Sequence, residues 1–182
     1  MAPPKVRKVA LMGFKAVGKS SISIQFVEGH FVDSYDPTIE NTFTKAVKHK
    51  GHDFTMELVD TAGQDEYSIV PNAYTANVHG YILVYSVASE KSFEMVSVIR
   101  DKILDKLGVD TIPLVLVGNK CDLHRERLIS TERGKSLADK WNAAFIEASA
   151  KHNHSVDEIF QTAIKEVEKR SNPEEPNDCI IL

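Results

Sequence analysis

The sequence predicts an α/β fold, in which a six-stranded, mostly parallel sheet has one antiparallel edge strand and about five helices pack on it. Short apolar runs alternate along the chain with segments of helical periodicity. Two of the runs, 81–87 and 114–117, are apolar almost throughout, as strands covered on both faces are. At 182 residues, the chain is long enough for one well-buried core and too short for two ordinary domains.

The first half of the chain predicts three strands and one helix. Residues 6–12 form an apolar run that leads into a glycine-rich turn, and residues 20–27 follow this turn as the first helix. Residues 39–47 and 53–60 flank a His-Lys-Gly turn, which predicts a hairpin. This hairpin supplies the antiparallel edge of the predicted sheet.

The second half predicts the other strands and at least two helices. The runs 81–87 and 114–117 are the fourth and fifth strands, and between them apolar residues recur at helical spacing until Gly108, a C-terminal cap signal. Residues 145–148 predict the last strand, and an apolar stripe over 156–167 predicts the closing helix. Sheets of this kind bind ligands at the carboxyl ends of their strands.

The glycine-rich turn is the most informative motif. Residues 13–20 read Gly-Phe-Lys-Ala-Val-Gly-Lys-Ser, the phosphate-binding pattern G-x-x-x-x-G-K-[ST]. A turn of this kind aims backbone N–H groups and the positive end of a helix dipole at a polyphosphate. Lys19 is predicted to contact the outer phosphates and the Ser20 hydroxyl to ligate Mg²⁺. The predicted phosphate-binding residues are Ala16, Val17, Gly18, Lys19, Ser20 and Ser21.

A second motif, Asp-Thr-Ala-Gly-Gln, follows the third predicted strand. A carboxylate at a strand end, here Asp60, is what a phosphate-bound Mg²⁺ needs, usually through water. Gly63 can bring a bare N–H to the γ-phosphate, and Gln64 can orient a water molecule. The motif therefore predicts a second metal ligand and part of a hydrolytic site.

Two further motifs predict recognition of guanine. Asp122 ends the sequence Asn-Lys-Cys-Asp and can accept two parallel hydrogen bonds from the N1–H and 2-amino groups of guanine. Adenine lacks this donor pair and would leave a buried charge unpaired. In Ser-Ala-Lys, the N–H of Ala150 can reach the guanine O6. All four motifs in this order, each at a strand end, form a strong signal. The predicted guanine-site residues are Asn119, Lys120, Asp122, Ser149, Ala150 and Lys151.

On these motifs the chain resembles the Ras-superfamily small GTPases, and residues 5–170 carry the resemblance almost without interruption. The resemblance implies a Ras-like P-loop G domain over residues 1–170, with GTP and GDP as ligands. It also implies switch regions at about 33–41 and 63–79, ordered by GTP with Mg²⁺ and released on hydrolysis. Residues 171–182 are then a flexible tail.

The resemblance also assigns residues in the first switch. Thr38 contributes to Mg²⁺ in the GTP state, together with Ser20 and Asp60. Phe31 stacks near the guanine, and Val32 and Tyr35 line the nucleotide. The implied effector surface consists of Tyr35, Asp36, Pro37, Thr38, Ile39, Glu40, Asn41, Thr42 and Phe43.

Lys15 and Ala16 depart from the superfamily pattern, since many relatives carry glycine at both positions. Lys15 would lie beside the γ-phosphate and crowd the attacking water and an arginine finger, which predicts slow intrinsic hydrolysis. The resemblance is to the branch that activates the TOR kinase complex. It implies a tuberous-sclerosis-type GTPase-activating protein that supplies an asparagine, a restraining role for Tyr35, and a reduced role for Gln64 in positioning water.

Three alternatives remain open, one for the role of Lys15 and two for the function of the chain. A solvated loop lysine without mechanistic effect is the alternative for Lys15. A nucleotide-gated binding module with negligible hydrolysis is the alternative for the whole chain. A P-loop kinase of small substrates is a more distant one, because the guanine-reading and switch motifs would then have no purpose.

The last four residues, Cys-Ile-Ile-Leu, match the prenylation motif, with Cys179 as the acceptor. The terminal leucine favours geranylgeranyl, whereas the resemblance implies farnesyl. The preceding linker has three acidic residues and no basic ones, so the lipid has no second anchoring signal. We expect weak attachment to the cytoplasmic face of endomembranes (lysosome, Golgi or ER) with a cytosolic pool, and a prenyltransferase and a prenyl-binding chaperone as partners.

Composition excludes other classes. The net charge of −4 gives no electrostatic footprint for nucleic acid. No apolar run approaches the length of a membrane span, the first residues do not resemble a secretory signal, and Ala2 excludes N-myristoylation. Two cysteines without C-x-x-C spacing fit a reducing compartment. We expect a monomer.

Overall fold

The computed structural model describes residues 2–33 and 39–171. These residues form six strands, four α-helices and one short 3-10 turn. In chain order the elements are β1 (Lys5–Gly13), α1 (Lys19–Glu28), β2 (Glu40–His49), β3 (His52–Thr61), the 3-10 turn (Asn72–Tyr74), β4 (Gly80–Ser86), α2 (Glu90–Leu107), β5 (Leu114–Asn119), α3 (Thr131–Lys140), β6 (Ala144–Glu147) and α4 (Val156–Ser171).

The six strands form one sheet in the order β2-β3-β1-β4-β5-β6. β2 is antiparallel to β3, and every other neighbouring pair is parallel, so the predicted six-stranded sheet with one antiparallel edge strand is confirmed. The register aligns the carboxyl ends of the central strands, with Leu11 opposite Asp60 and Ser86 opposite Asn119. All four sequence motifs therefore begin at one edge of the sheet.

The sheet is covered on both faces, which explains the uninterrupted apolar runs. Alternate residues of β1 point to opposite sides: Val9 and Leu11 pack in the core beneath α1 and α4, whereas Ala10 and Met12 pack in the core beneath α2 and α3. On the first face, the rings of Phe26 and Phe160 stack with their centroids 3.9 Å apart and join α1 to α4. This contact fixes the helix that follows the phosphate loop.

The helix count differs from the prediction. About five helices were expected, but the described residues hold four α-helices, and residues 63–79 hold only the three-residue 3-10 turn. The sequence analysis did not locate α3, because only Gly134 and Ala138 of this helix are buried and the apolar stripe is short. Its signal is the N-cap: Ser130 accepts a hydrogen bond from the Arg133 backbone N–H.

Two buried tyrosines on β4 differ in how their hydroxyl groups are paired. The hydroxyl of Tyr81 donates to the Tyr74 carbonyl at 3.1 Å. The hydroxyl of Tyr85 has no hydrogen-bond partner among the described residues. It lies against two glycines: a Cβ added to Gly134 would be 2.3 Å from it, and one added to Gly118 would be 2.7 Å away.

This difference predicts opposite effects of the same substitution. Tyr85→Phe removes an unpaired buried hydroxyl and is expected to raise the free energy of unfolding by about 1 kcal/mol. Tyr81→Phe removes a hydrogen bond and is expected to lower it by about 1 kcal/mol. Urea denaturation of both variants against the parent checks this, and a clear loss of stability in Tyr85→Phe would contradict it.

Candidate functional site

A cavity of about 330 Å³ opens at the carboxyl edge of the sheet. Its volume lies in the range of pockets that hold small ligands. Every one of the four motifs contributes to its wall. The predicted residues that line it are Lys15, Ala16, Gly18, Lys19, Ser20, Ser21, Phe31, Val32, Gly63, Asn119, Lys120, Asp122, Ala150 and Lys151.

Three lining residues were not singled out from the sequence: Asp33, Thr61 and Leu123. Thr61 directly follows Asp60, and Leu123 directly follows Asp122. Their position next to a predicted site residue was the sequence signal that could have identified them. Val17, Asp60, Gln64 and Ser149 do not line the cavity in this structure. Tyr35, Asp36, Pro37, Thr38 and Cys179 lie outside the described residues.

The phosphate loop takes a shape that depends on small residues. Gly18 has a φ of 98°, and a Cβ there would lie 2.2 Å from the Asn119 side-chain nitrogen. Ala16 also has a positive φ, 61°, which favours glycine over alanine. Gly18 precedes α1 and has no side chain to cap it, so the first N–H groups of the helix are left for a bound anion.

Lys19 supplies a buried positive charge at the base of this loop. Its side chain is 6% exposed, and its ammonium donates to the carbonyls of Gly13 at 3.2 Å and Phe14 at 2.9 Å. Burial lowers the pKa of Lys19 to about 8, and the Asp60 carboxylate opposes that shift. A desolvated ammonium at the start of a helix favours a polyphosphate.

Ser20 lines the cavity and contacts Asp60, and these two side chains fit a divalent cation. The Ser20 hydroxyl donates to Oδ2 of Asp60 at 2.5 Å. Asp60 is fully buried, and its Oδ1 has no hydrogen-bond partner among residues 2–33 and 39–171. Burial raises the pKa of Asp60, although the Ser20 hydrogen bond and Lys19 oppose this. A hard cation such as Mg²⁺ would satisfy the unpaired carboxylate oxygen.

One carboxamide joins three of the motifs. Asn119 donates from Nδ2 to the Val17 carbonyl at 2.9 Å and accepts at Oδ1 from the Ala150 N–H at 3.2 Å. Asp122 accepts at Oδ1 from the Ser149 hydroxyl at 2.8 Å, so the two base-reading motifs are also bonded to each other. The strand ends and the phosphate loop therefore form one connected unit.

The start of the predicted second switch packs against the phosphate loop. The Gln64 N–H donates to the Gly13 carbonyl at 2.9 Å, and a Cβ added to Gly63 would lie 2.7 Å from the Lys15 Cα. The Gln64 side chain is only 6% exposed, and its amide donates to the Ala62 carbonyl at 3.3 Å. In this structure Lys15 reaches the cavity and the Gln64 amide does not.

Helix α2 holds the next part of this switch by its backbone. The Lys102 ammonium donates to the carbonyls of Asp65, Glu66 and Ser68, at 3.1, 2.9 and 2.7 Å. Lys106 donates to a further carbonyl, at residue 70. One helix therefore holds the backbone from 65 to 70, which includes a turn in which the Ser68 N–H donates to the Asp65 carbonyl.

This path leaves apolar side chains in solvent. Tyr67 is 87% and Ile69 is 86% exposed. Ile39, at the start of the described part of the predicted effector surface, is 88% exposed. Glu40, Asn41 and Thr42 are also exposed, and Phe43 is half-buried. The described part of the predicted effector surface and the segment after Gln64 therefore both present large apolar side chains to solvent.

Among the described residues, no helix combines the length and the apolar character that crossing a membrane requires.

Comparison with known proteins gives a match to the model of the Ras family over residues 8–169. The chain is 59% identical over 169 residues to the GTP-binding protein Rheb of Homo sapiens, covering 93% of this chain and 92% of that protein.

Two further relatives match over nearly their whole length. The GTP-binding protein Rheb homolog of Drosophila melanogaster is 57% identical over 180 residues, which cover 98% of this chain and 99% of that protein. The GTP-binding protein rhb1 of Schizosaccharomyces pombe is 53% identical over 184 residues, with full coverage of both chains.

Proposed function

The chain belongs to the Ras family, and we propose that it is a molecular switch whose GTP state activates the TOR kinase complex in growth and nutrient signalling. It is a small GTPase of the Rheb type, which binds GTP and GDP with Mg²⁺ and hydrolyses GTP to GDP and phosphate. The contacts of Asn119 support this most strongly, because they join the phosphate loop to the base-reading loop.

The phosphates and the metal are held by the loop and the strand ends. Lys19 and the N–H groups at the start of α1 bind the outer phosphates. Ser20, Asp60 and Thr38 would hold Mg²⁺, with Asp60 acting through the oxygen that has no hydrogen-bond partner among the described residues. Mg²⁺, when bound, neutralises charge on the phosphates during transfer. Phe31, at the cavity wall, stacks near the base.

The base is read by two loops that are already bonded to each other. Asp122 accepts from the N1–H and 2-amino groups of guanine, and Ser149 orients its carboxylate through the 2.8 Å hydrogen bond. The Ala150 N–H donates to the guanine O6. Discrimination against adenine arises because adenine would leave these polar groups unpaired.

Hydrolysis is slow because the site is crowded and the water is poorly held. Lys15 lines the cavity where the γ-phosphate, the attacking water and an activator's side chain must fit. The Gln64 amide is buried against Ala62, which supports a reduced role for it. Tyr35 is assigned to cover the phosphates. A tuberous-sclerosis-type activator that supplies an asparagine would then meet the need for a water-positioning group.

We assign the binding partners to two parts of the chain, the effector surface and the C-terminal tail. The effector surface, 35–43, and the exposed side chains Tyr67 and Ile69 are assigned to the TOR kinase complex. The tail is assigned to a prenyltransferase, which modifies Cys179, and then to a prenyl-binding chaperone. The lipid holds a monomer on the cytoplasmic face of endomembranes, with a cytosolic pool, because the linker adds no basic charge.

Asp122→Asn is expected to change which base is bound. The amide can donate to the 2-oxo group of xanthine but cannot accept the donor pair of guanine, and losing the partner of a buried carboxylate costs about 3–5 kcal/mol. We expect GDP affinity to fall more than a hundredfold and that for xanthosine diphosphate to rise, measured by nucleotide displacement. Asp139→Asn, on the exposed face of α3, is the control. Unchanged GDP affinity would contradict the assignment of Asp122.

Catalysis tests the roles of Lys15 and Gln64. In single-turnover assays, we expect intrinsic GTP hydrolysis at or below the order of 10⁻⁴ s⁻¹, the rate of unaided Ras. Gln64→Leu is expected to slow it only a few-fold, and Lys15→Gly to raise it by removing the obstruction. If Tyr35 is the main restraint, Tyr35→Ala raises the rate instead. A parent rate typical of Ras that falls tenfold or more in Gln64→Leu would refute these roles.

The tail is tested by fractionation. Cys179→Ser is expected to move the protein wholly into the soluble fraction and leave nucleotide affinity unchanged, because the linker separates the lipid from the G domain. Cys121→Ser, which alters the other cysteine, is the matched control and is expected to stay with membranes. Sedimentation of Cys179→Ser with membranes would mean that another anchor exists.

A further inference from the structure

The segment between Gln64 and Val70 has no buried side chain of its own. Gln64 and Val70 are 6% and 3% exposed and anchor its two ends. The side chains of residues 65–69 are all exposed or half-buried. Polar contacts must therefore hold this segment against the rest of the protein, because apolar burial does not. Tyr67 and Ile69, which we assign to the TOR kinase complex, lie within it.

Two lysines of α2 tie this segment to the body of the protein. The Lys102 ammonium donates to three backbone carbonyls, those of residues 65, 66 and 68, at 3.1, 2.9 and 2.7 Å. All three of its N–H groups are used in this way. Lys91 pairs with the Glu66 side chain at 3.1 Å, but these side chains are 48% and 41% exposed. An exposed ion pair contributes little to stability, so Lys102 supplies most of the hold.

The bonds to α2 act on the peptide groups that adjoin the two exposed apolar residues. The Glu66 carbonyl belongs to the peptide group that carries the Tyr67 N–H, and this N–H donates to Oδ1 of Asp65 at 2.9 Å. That peptide group is therefore held at both of its ends. The Ser68 carbonyl belongs to the peptide group that precedes Ile69. The backbone is restricted at both positions, while the two side chains remain in solvent.

On the basis of the proposed function, we infer that Lys102 is a positioning residue for partner recognition. It keeps the backbone at Tyr67 and Ile69 in place before the TOR kinase complex binds. A segment that is already ordered loses little conformational entropy on binding, whereas a free segment must be ordered at that moment. Loss of Lys102 should therefore loosen residues 65–69 and weaken the binding of the partner, while the nucleotide site stays intact.

The test compares variants at two lysines of the same helix. Lys102→Met removes the three bonds to the backbone and keeps an unbranched side chain. Lys91→Met is the matched control, because it removes the same charge from α2 but breaks only the side-chain pair with Glu66. Lys102→Arg is the conservative variant, which keeps the charge and several N–H donors. Each full-length protein is loaded with a non-hydrolysable GTP analogue.

Hydrogen exchange measures the hold on the segment directly. The N–H groups of Asp65, Tyr67 and Ser68 are all hydrogen-bonded within it. In Lys102→Met we expect these amides to exchange about tenfold faster, the order of the backbone entropy of one residue. Exchange in α2 and the affinity for the nucleotide should stay unchanged, and Lys91→Met should match the parent. Unchanged exchange in Lys102→Met would overturn the inference.

The second measurement is the affinity of each loaded protein for purified TOR kinase complex. We expect Lys102→Met to bind about tenfold more weakly, in step with its exchange, Lys91→Met to match the parent, and Lys102→Arg to restore most of the affinity. Weaker binding without faster exchange would mean that Lys102 contacts the partner itself. Faster exchange without weaker binding would mean that order in the segment does not matter. Either result would overturn the role of Lys102.

Failure of the proposed function gives a different result. A GTP-loaded parent that the complex does not retain, or a Tyr67→Ala variant that binds as the parent does, would refute the assigned partner surface whatever the exchange data show. Should Lys102→Met fail to fold, Lys102→Gln carries the same test, because its shorter, neutral side chain cannot bond to all three carbonyls.

Discussion

The site depends on a single carboxamide between strand ends that are far apart in sequence. Asn119 ends β5, yet its two polar atoms bond to the phosphate loop that follows β1 and to the loop that follows β6. Gly18 permits this approach, because any Cβ there would overlap the Asn119 nitrogen. The phosphate site and the base site therefore keep a fixed separation, which a ligand with phosphates at one end and a base at the other requires.

Around this bridge, the protein buries two ionisable groups of opposite charge, Lys19 and Asp60. Burial lowers the pKa of Lys19 and raises that of Asp60, so each is held in surroundings that disfavour its charged form. A nucleotide with its metal ion supplies opposite charge to both groups at once. Binding should for this reason stabilise the folded protein strongly, as any ligand that binds only the folded state does.

The motifs could be found from the sequence because each is a short string with a set chemistry at a strand end, and the sheet topology followed from the apolar runs. Contacts between segments that are distant in sequence could not be found in this way. Nothing local indicates that the Gln25 side chain donates to the Ala150 carbonyl, and the burial of Gln64 results from the packing of residues 62–64 on the phosphate loop. Helix α3 was missed since only two of its residues are buried and neither is large. The sequence thus predicts which residues bind, and the structure was needed to find the contacts that hold their loops.

The manner in which Lys102 holds the second switch has a consequence for evolution. Its three bonds go to backbone carbonyls, which every residue type possesses, rather than to side chains. The hold that Lys102 exerts is in this way independent of side-chain chemistry, whereas the side chains of Asp65 and Ser68 add hydrogen bonds of their own within the segment. Substitutions at Tyr67 and Ile69, both largely in solvent, can change the chemistry of this surface while the bonds from Lys102 to the backbone remain. The surface can therefore vary in sequence without a change of the fold.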